Sequence, residues 1–215
     1  MTVVEVGPVT VRGPGAVSAA TRVAATTAVD CIAAPIALID DRLVAVEELW
    51  ATVIADAAGP DAETLTLVCP TWWTVDQMAR IRVAAAAWDS VVLHRVQALT
   101  VGLRKVRWAV VEIATEVVMV SRADADPVTV VRGDDAVVDA VLTAVGPADH
   151  VVIDAPAAKD IKVFPKKDGQ GERKEIAYGF GGALQTTVPA GDYIIAADRR
   201  DGAGDALQVV RAQLD

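Results

Sequence analysis

The sequence predicts an α/β protein, built as two related halves followed by a β-rich extension, and three observations predict it. Segments recur in the same order: "VVEVG" (3–7) returns as "VVEIA" (110–114), "PVTVRG" (8–13) as "PVTVVRG" (127–133), and "LTLVCP" (65–70) as "HVVIDAP" (150–156). Within each half, short β-branched runs alternate with Ala-rich runs of helical period, the signature of a βα-rich unit that has been duplicated. From residue 159 charges, glycines and period-two alternation take over, which indicates hairpins. The expected boundaries are 2–108 for a first lobe, 109–158 for a reduced second lobe, and 159–215 for an extension packed on the second lobe.

The elements follow in order. Residues 3–13 read as two short strands around a Gly7-Pro8 turn, with Glu5 in an otherwise apolar first strand. "SAATRVAATTAVDCIA" has helical spacing, and "PIALIDDRLVAV" reads as two strands around Asp40-Asp41. "VEELWATVIADAAG" is an amphipathic helix with acids in its first turn and Gly59-Pro60 as its stop. "ETLTLVCP" is a strand ended by Pro70, and Thr74 caps the helix of "TVDQMARIRVAAAAW". "SVVLHRV" is a strand, "QALTVGLRK" a short helix, and "RWAVVEIATEVVMVSR" a second hairpin with Glu112 where Glu5 stood. In the second half "PVTVVRG" is a strand, Asp134 caps the helix "DAVVDAVLTAVG", and "HVVIDAP" is a strand stopped by Pro156. The extension is expected to hold the strands "DIKVFP", "KEIAYGF", "ALQTTVP" and "DYIIAAD" with turns at Asp168-Gly169 and Gly191-Asp192, then a terminal "GDALQVVRAQLD" as helix or strand.

Composition excludes several classes of function. At 215 residues the chain can bury a core without metals or disulfides. A net charge of −9 argues against a general nucleic-acid binder, whose phosphate contacts need clustered cations. The basic clusters Arg104-Lys105-Val106-Arg107 and Lys166-Lys167 with Arg173-Lys174 read as solvated surface. Cys31 and Cys69 sit in apolar contexts without metal-like spacing and read as buried free thiols in a reducing compartment. His94 and His150 lie in apolar strands and offer little to a zinc site or a triad, so no metal and no catalytic residue is expected. Charges interrupt every apolar run of about 18 residues, and no basic segment followed by an apolar stretch opens the chain; a cytoplasmic protein without membrane insertion is expected.

The order of elements over residues 3–156 resembles the nucleotide-binding domain of the actin and Hsp70 superfamily, a duplicated ribonuclease H-like fold. The stretch from "LTLVCPTWW" to "VVEIATEVVMVSR" looks like the central part of an Hsp70 domain, with Val101-Gly102-Leu103 standing where that family has Tyr-Gly-Leu. The resemblance implies two phosphate-binding hairpins, which here are degraded. Glu5-Val6-Gly7-Pro8-Val9 replaces Asp-Leu-Gly-Thr-Thr, and Pro8 has no N–H to offer a phosphate. Glu112-Ile113-Ala114-Thr115-Glu116 replaces a run of three glycines, and Ile153-Asp154-Ala155-Pro156 replaces the adenosine-contacting glycines. The family's inserted second-lobe subdomain is also missing. The expectation is therefore a pseudo-ATPase without cofactor.

Glu5 and Glu112 are expected to face the interlobe groove, solvated or paired with Arg12, Arg107 or Arg122. The weaker alternative makes them remnants of an ATP-binding switch. One of Trp72 and Trp73 should pack under the following helix; the other, with Arg104, Lys105 and Arg107, is the candidate partner surface. A narrower likeness, carried by "VVEVGPVTVRGPG", the Ala/Val-rich body and "CPTWW", is to actinobacterial type VII (ESX) secretion-associated proteins. It implies an accessory role in secretion, with molecular activity undefined and secretion-machinery proteins as candidate partners; with the degraded cleft the expectation is a non-catalytic scaffold or adaptor, and a homodimer or self-assembling subunit, with strand addition at an edge in 160–195, is the further expectation.

Overall fold

The computed structural model describes residues 1–8, 10–15, 18–103, 106–114, 116–132 and 137–154, and from residue 158 onward the backbone of five strands. The chain divides into two compact units, Met1–Ala98 and Leu99–Asp215.

The first unit opens with β1 (Thr2–Val6) and β2 (Val11–Arg12), antiparallel, with Glu5 opposite Arg12. Helix α1 (Ala19–Asp30) is capped by Ser18, whose side chain accepts from the Thr21 N–H. Next come β3 (Ile36–Ile39) and β4 (Arg42–Ala45), a two-stranded sheet turned by Asp40 and Asp41 at φ 47° and 60°. Positive φ at both central residues is what a two-residue hairpin of the mirror-image turn type demands, and Asp tolerates it. Helix α2 (Val46–Ala58) ends at Gly59 (φ 83°). Strand β5 (Thr64–Cys69) stops at Pro70; α3 (Val75–Ala84) carries a full capping box between Thr74 and Gln77; β6 (Asp89–His94) and α4 (Arg95–Leu99) follow.

Helix α4 begins earlier than "QALTVGLRK" suggested, and the strand before it is correspondingly shorter. Arg95 leaves the sheet so that its Nη2 can donate to the Val6 carbonyl (2.8 Å), and Gly102 at φ 91° lies just beyond the helix end. The main sheet has the order β2-β1-β5-β6, with β5 parallel to both β1 and β6. Its core is Ala, Val, Ile and Leu packed around Trp50.

The turn after β2, residues 13–15, is fixed by a close approach. The Gly15 N–H donates to the Ala57 carbonyl (2.8 Å), and a Cβ on Gly15 would lie 2.0 Å from the Asp56 carbonyl oxygen. The start of α1 is tied to the same turn, since Thr21 Oγ1 donates to Asp56 Oδ2 at 2.7 Å.

The second unit contains β7 (Trp108–Ile113), β8 (Val117–Arg122) and β9 (Ala125–Val131) as an antiparallel meander. Helix α5 (Val137–Val145) and β10 (His150–Asp154), parallel to β7, follow. The cap assigned to Asp134 and the stop at Pro156 lie outside the described residues. One face of this sheet, with Ala109, Val111, Ile113, Val118, Val120, Val151 and Ile153, forms a core with Val141 and Val145 of α5.

The extension adds β11 (Ala158–Pro165), β12 (Ala177–Gly179), β13 (Ala183–Leu184), β14 (Gly191–Arg199) and β15 (Gln208–Leu214). Strands β12-β11-β14-β15 make an antiparallel sheet, while β13 pairs with β10 and so joins the sheet of the second unit, in the order β13-β10-β7-β8-β9. Gly191 and Asp192, expected as a turn, instead pair with Leu214 and Gln213 as the first rungs of β14. The C-terminal stretch is a strand: its "QVVRAQL" alternation supplies a partner for β14 that a helix could not. Asp168-Gly169 lies outside the described residues.

Candidate functional site

The two hairpins that open the units are the sites the sequence points to. In each, the residue two beyond the glutamate closes the tip with its own amide: Gly7 N–H donates to the Thr10 carbonyl at 2.7 Å, and Ala114 N–H to the Val117 carbonyl at 2.9 Å. A donor engaged within its own hairpin is not offered outward. Pro8 adds none, Gly7 is itself buried, and Thr115 lies outside the described residues.

The strand that returns beside each hairpin keeps the same register. Counting two back from Pro70 gives Val68, which pairs with Glu5. Counting two back from Pro156 gives Asp154, which pairs with Glu112. The likeness of "PVTVRG" to "PVTVVRG" does not carry the same weight: β2 lies against the first strand of its unit, whereas β9 lies against the second, β8. Pro followed by alternating Val and Thr suits any edge strand, so composition alone reproduces this match.

The glutamates differ in surroundings. The Glu5 side chain is 43% exposed and its Oε2 is 3.9 Å from Nη1 of the buried Arg95, a loose pair of small energetic weight. Arg95 was not singled out by sequence; its one signal is a cation directly after the apolar run "VVLH".

Glu112 is not solvated. Its exposure is 0%, as is that of Asp154 beside it, and on the same face lie the buried Met119 and Ser121 of β8. Two of the three arginines considered for the glutamates form ion pairs with aspartates. Arg122 holds Asp124, with Nη2 to Oδ1 at 2.9 Å. Arg107 grips Asp149 through Nη2 to Oδ1 at 2.7 Å and Nε to Oδ2 at 3.2 Å, and its carbonyl accepts from the Asp149 N–H at 2.7 Å. These bonds hold the Asp149 carboxyl below its ordinary range. They make Arg107 a clamp between the starts of β7 and β10.

Of the remaining candidate surface residues, Trp73 is buried (6% exposed) and meets Trp50 edge to face, centroids 5.7 Å apart and planes at 84°. It belongs to the core, as one of the pair was expected to. Trp72 is half-buried against that core. Arg104 and Lys105 lie outside the described residues, as do Lys166, Lys167, Arg173 and Lys174.

The reactive groups are quiet. Burial pushes the Cys69 thiol up to about 12, against the lowering effect of Arg95 and Arg82. Cys31 is half-buried, and both cysteines are free. His94 places Nδ1 3.3 Å from the Pro70 carbonyl oxygen. Among the described residues no three of His, Cys, Asp and Glu are grouped to hold a metal, and no helix is long and apolar enough to cross a membrane.

A feature sequence reading missed is a groove of about 470 Å³ in the second unit. Among the described residues its lining is Val120 and Arg122 of β8, Ala125, Asp126 and Val128 of β9, and Ala140, Thr143 and Ala144 of α5. Small residues on α5 leave the space open, and Arg122 closes one end by lying against Gly146, where a Cβ would come within 2.6 Å of Nη1. The run of alanines at 136, 140 and 144 was the available signal, but in an Ala-rich chain it does not stand out.

No protein-family model matches the chain, and no curated protein matches it.

Proposed function

We propose that this protein is a non-catalytic scaffold or adaptor on a duplicated, degenerate actin-like ATPase fold, accessory to type VII secretion and working by binding a protein partner in the cytoplasm. The supporting observation is the closure of both hairpin tips by their own amides, at Gly7 and Ala114, with Pro8 beside the first. An actin-like cleft holds a triphosphate through outward N–H groups at these two tips. Losing several charge-assisted hydrogen bonds, each about 1.5 to 3 kcal/mol, lowers affinity by orders of magnitude. The burial of Glu112 also withdraws one of the two carboxylates that the alternative, an ATP-driven switch, requires.

The test is calorimetry of the whole chain with ATP and Mg²⁺. No heat of binding is expected at micromolar nucleotide. A dissociation constant in the low micromolar range or tighter would overturn this reading, and hydrolysis lost in Glu5→Ala and Glu112→Ala would then establish the switch.

A further inference from the structure

We propose that the outward face of α3 is a self-association surface, on which a second copy of this chain docks its own α3 antiparallel, with Ala79 at the centre of the contact. Such a pairing goes beyond the adaptor reading and does not depend on it. The spacing of exposed residues along one helix carries it.

Helix α3 turns Met78, Ile81 and Ala84 into the core. Arg80 also faces its own unit, with Nε 3.1 Å from Glu47 Oε1 and Nη1 donating to the Ile32 carbonyl at 3.2 Å. At about 100° per residue the opposite side carries Val75, Asp76, Ala79, Arg82 and Val83. All five are exposed, Val75 at 79% and Val83 at 63%. Valine is a poor helix former, so neither local propensity nor burial within the chain accounts for two of them here. Among the described residues neither Asp76 nor Arg82 forms an ion pair.

The five residues are arranged about Ala79 so that the face matches itself. Asp76 and Arg82 stand three residues to either side of it, Val75 and Val83 four. Antiparallel pairing across a two-fold axis at Ala79 brings each Asp76 level with Arg82 of the second copy, and each Val75 level with Val83 of the second copy, twice over by symmetry. The methyl side chain at the centre lets the helix axes approach to about 8 Å, the near end of the usual range, and across so narrow a contact the arginine stem reaches the opposing carboxylate. A parallel pairing would instead set Asp76 level with Asp76 and Arg82 level with Arg82, like charge against like. The complementarity therefore selects both the occupant, a second copy, and its direction. The contact is small, so the dimer is expected to be weak.

The test is sedimentation equilibrium of the full chain at concentrations up to roughly 1 mM, as a contact of this size requires. A monomer–dimer equilibrium is expected. Asp76→Arg and Arg82→Asp each turn two attractive contacts into two repulsive ones, and each should weaken the dimer about tenfold or more. Mixing the two variants should restore association as a heterodimer, since every rim contact then joins an arginine to an aspartate; the recovery also shows that both chains are folded. Ala79→Arg should abolish the dimer, with unchanged circular dichroism showing that a substitution at this exposed position leaves the fold intact.

A monomer throughout that range would overturn the proposal. A dimer indifferent to Ala79→Arg and to both charge reversals would overturn it too, by placing the contact on another surface. The same holds if the mixed variants fail to associate although each has native circular dichroism: Asp76 and Arg82 would then serve only to complement the helix dipole. These outcomes are separate from the nucleotide test, since a monomer that binds no ATP loses this inference and keeps the adaptor reading.

Discussion

At the scale of single residues, chemistry here is set by burial more than by residue type. Glu5 and Glu112 each lie opposite the residue two before a proline on a parallel strand, yet one is partly in water and the other is fully enclosed. The cysteines show the same contrast. A thiol reacts as its thiolate, and Cys69, with its ionisation pushed up to about 12 from 9.0, stays protonated across the working range. Native protein at pH 8 is therefore expected to release one equivalent of chromophore from a disulfide thiol reagent, from Cys31, and the second only in denaturant. Rapid labelling of both thiols in the native state would contradict the burial of Cys69. The sign of the pH effect follows: a thiol held protonated in the folded state contributes stability in full below pH 9, and that contribution is lost as pH rises from 9 toward 12.

Among the elements, the tightest approach at a described glycine is that of the turn 13–15 to the end of α2. A methyl at Gly15 would meet the backbone at Asp56, Ala57 and Gly59, none of which can rotate aside. Gly15→Ala is expected to cost about 3 kcal/mol or more in urea denaturation. Gly102→Ala serves as the comparison: its φ of 91° is strained for alanine, but nothing lies within 4 Å, so about 1 to 2 kcal/mol is expected. A cost at Gly15 no greater than that at Gly102 would show that the backbone gives way and that the close approach does not decide it.

Features governed by local rules were legible in the sequence: the Thr74 cap, the Asp40-Asp41 turn, and the strand stopped by Pro70. What was not legible depends on neighbours distant in sequence. Nothing in "VVEIA" tells that Glu112 is covered, and nothing in "PVTVVRG" tells that it pairs with β8 in place of β7. The groove beside α5 was hidden for the same reason, since it exists only where a helix and an edge strand meet.

For the whole molecule, the division after Ala98 assigns the C-terminal strands to the second unit. The pairing of β13 with β10, Ile153 opposite Leu184 and Asp154 opposite Ala183, threads the extension into the sheet that precedes it. A segment that supplies a strand to its neighbour is not expected to survive alone, and about fifty residues bury too little apolar surface to do so easily. Limited proteolysis followed by mass spectrometry is expected to yield no stable fragment beginning near residue 160. Accumulation of such a fragment would mark residues 159–215 as an independent domain.

The wiring of the two sheets has a kinetic consequence. In the first unit β1 is paired along its length with β5, Thr2 opposite Leu65, so its main partner reaches it only after two helices and a hairpin have been made. In the second unit β7, β8 and β9 follow one another, with Ile113 opposite Val118. Closing a long loop before any contact rewards it is slow, and local pairing is fast. On the ribosome the half synthesised first thus has the longer wait for its sheet, with the apolar β1 exposed meanwhile, while the half synthesised last can fold its meander almost as it emerges.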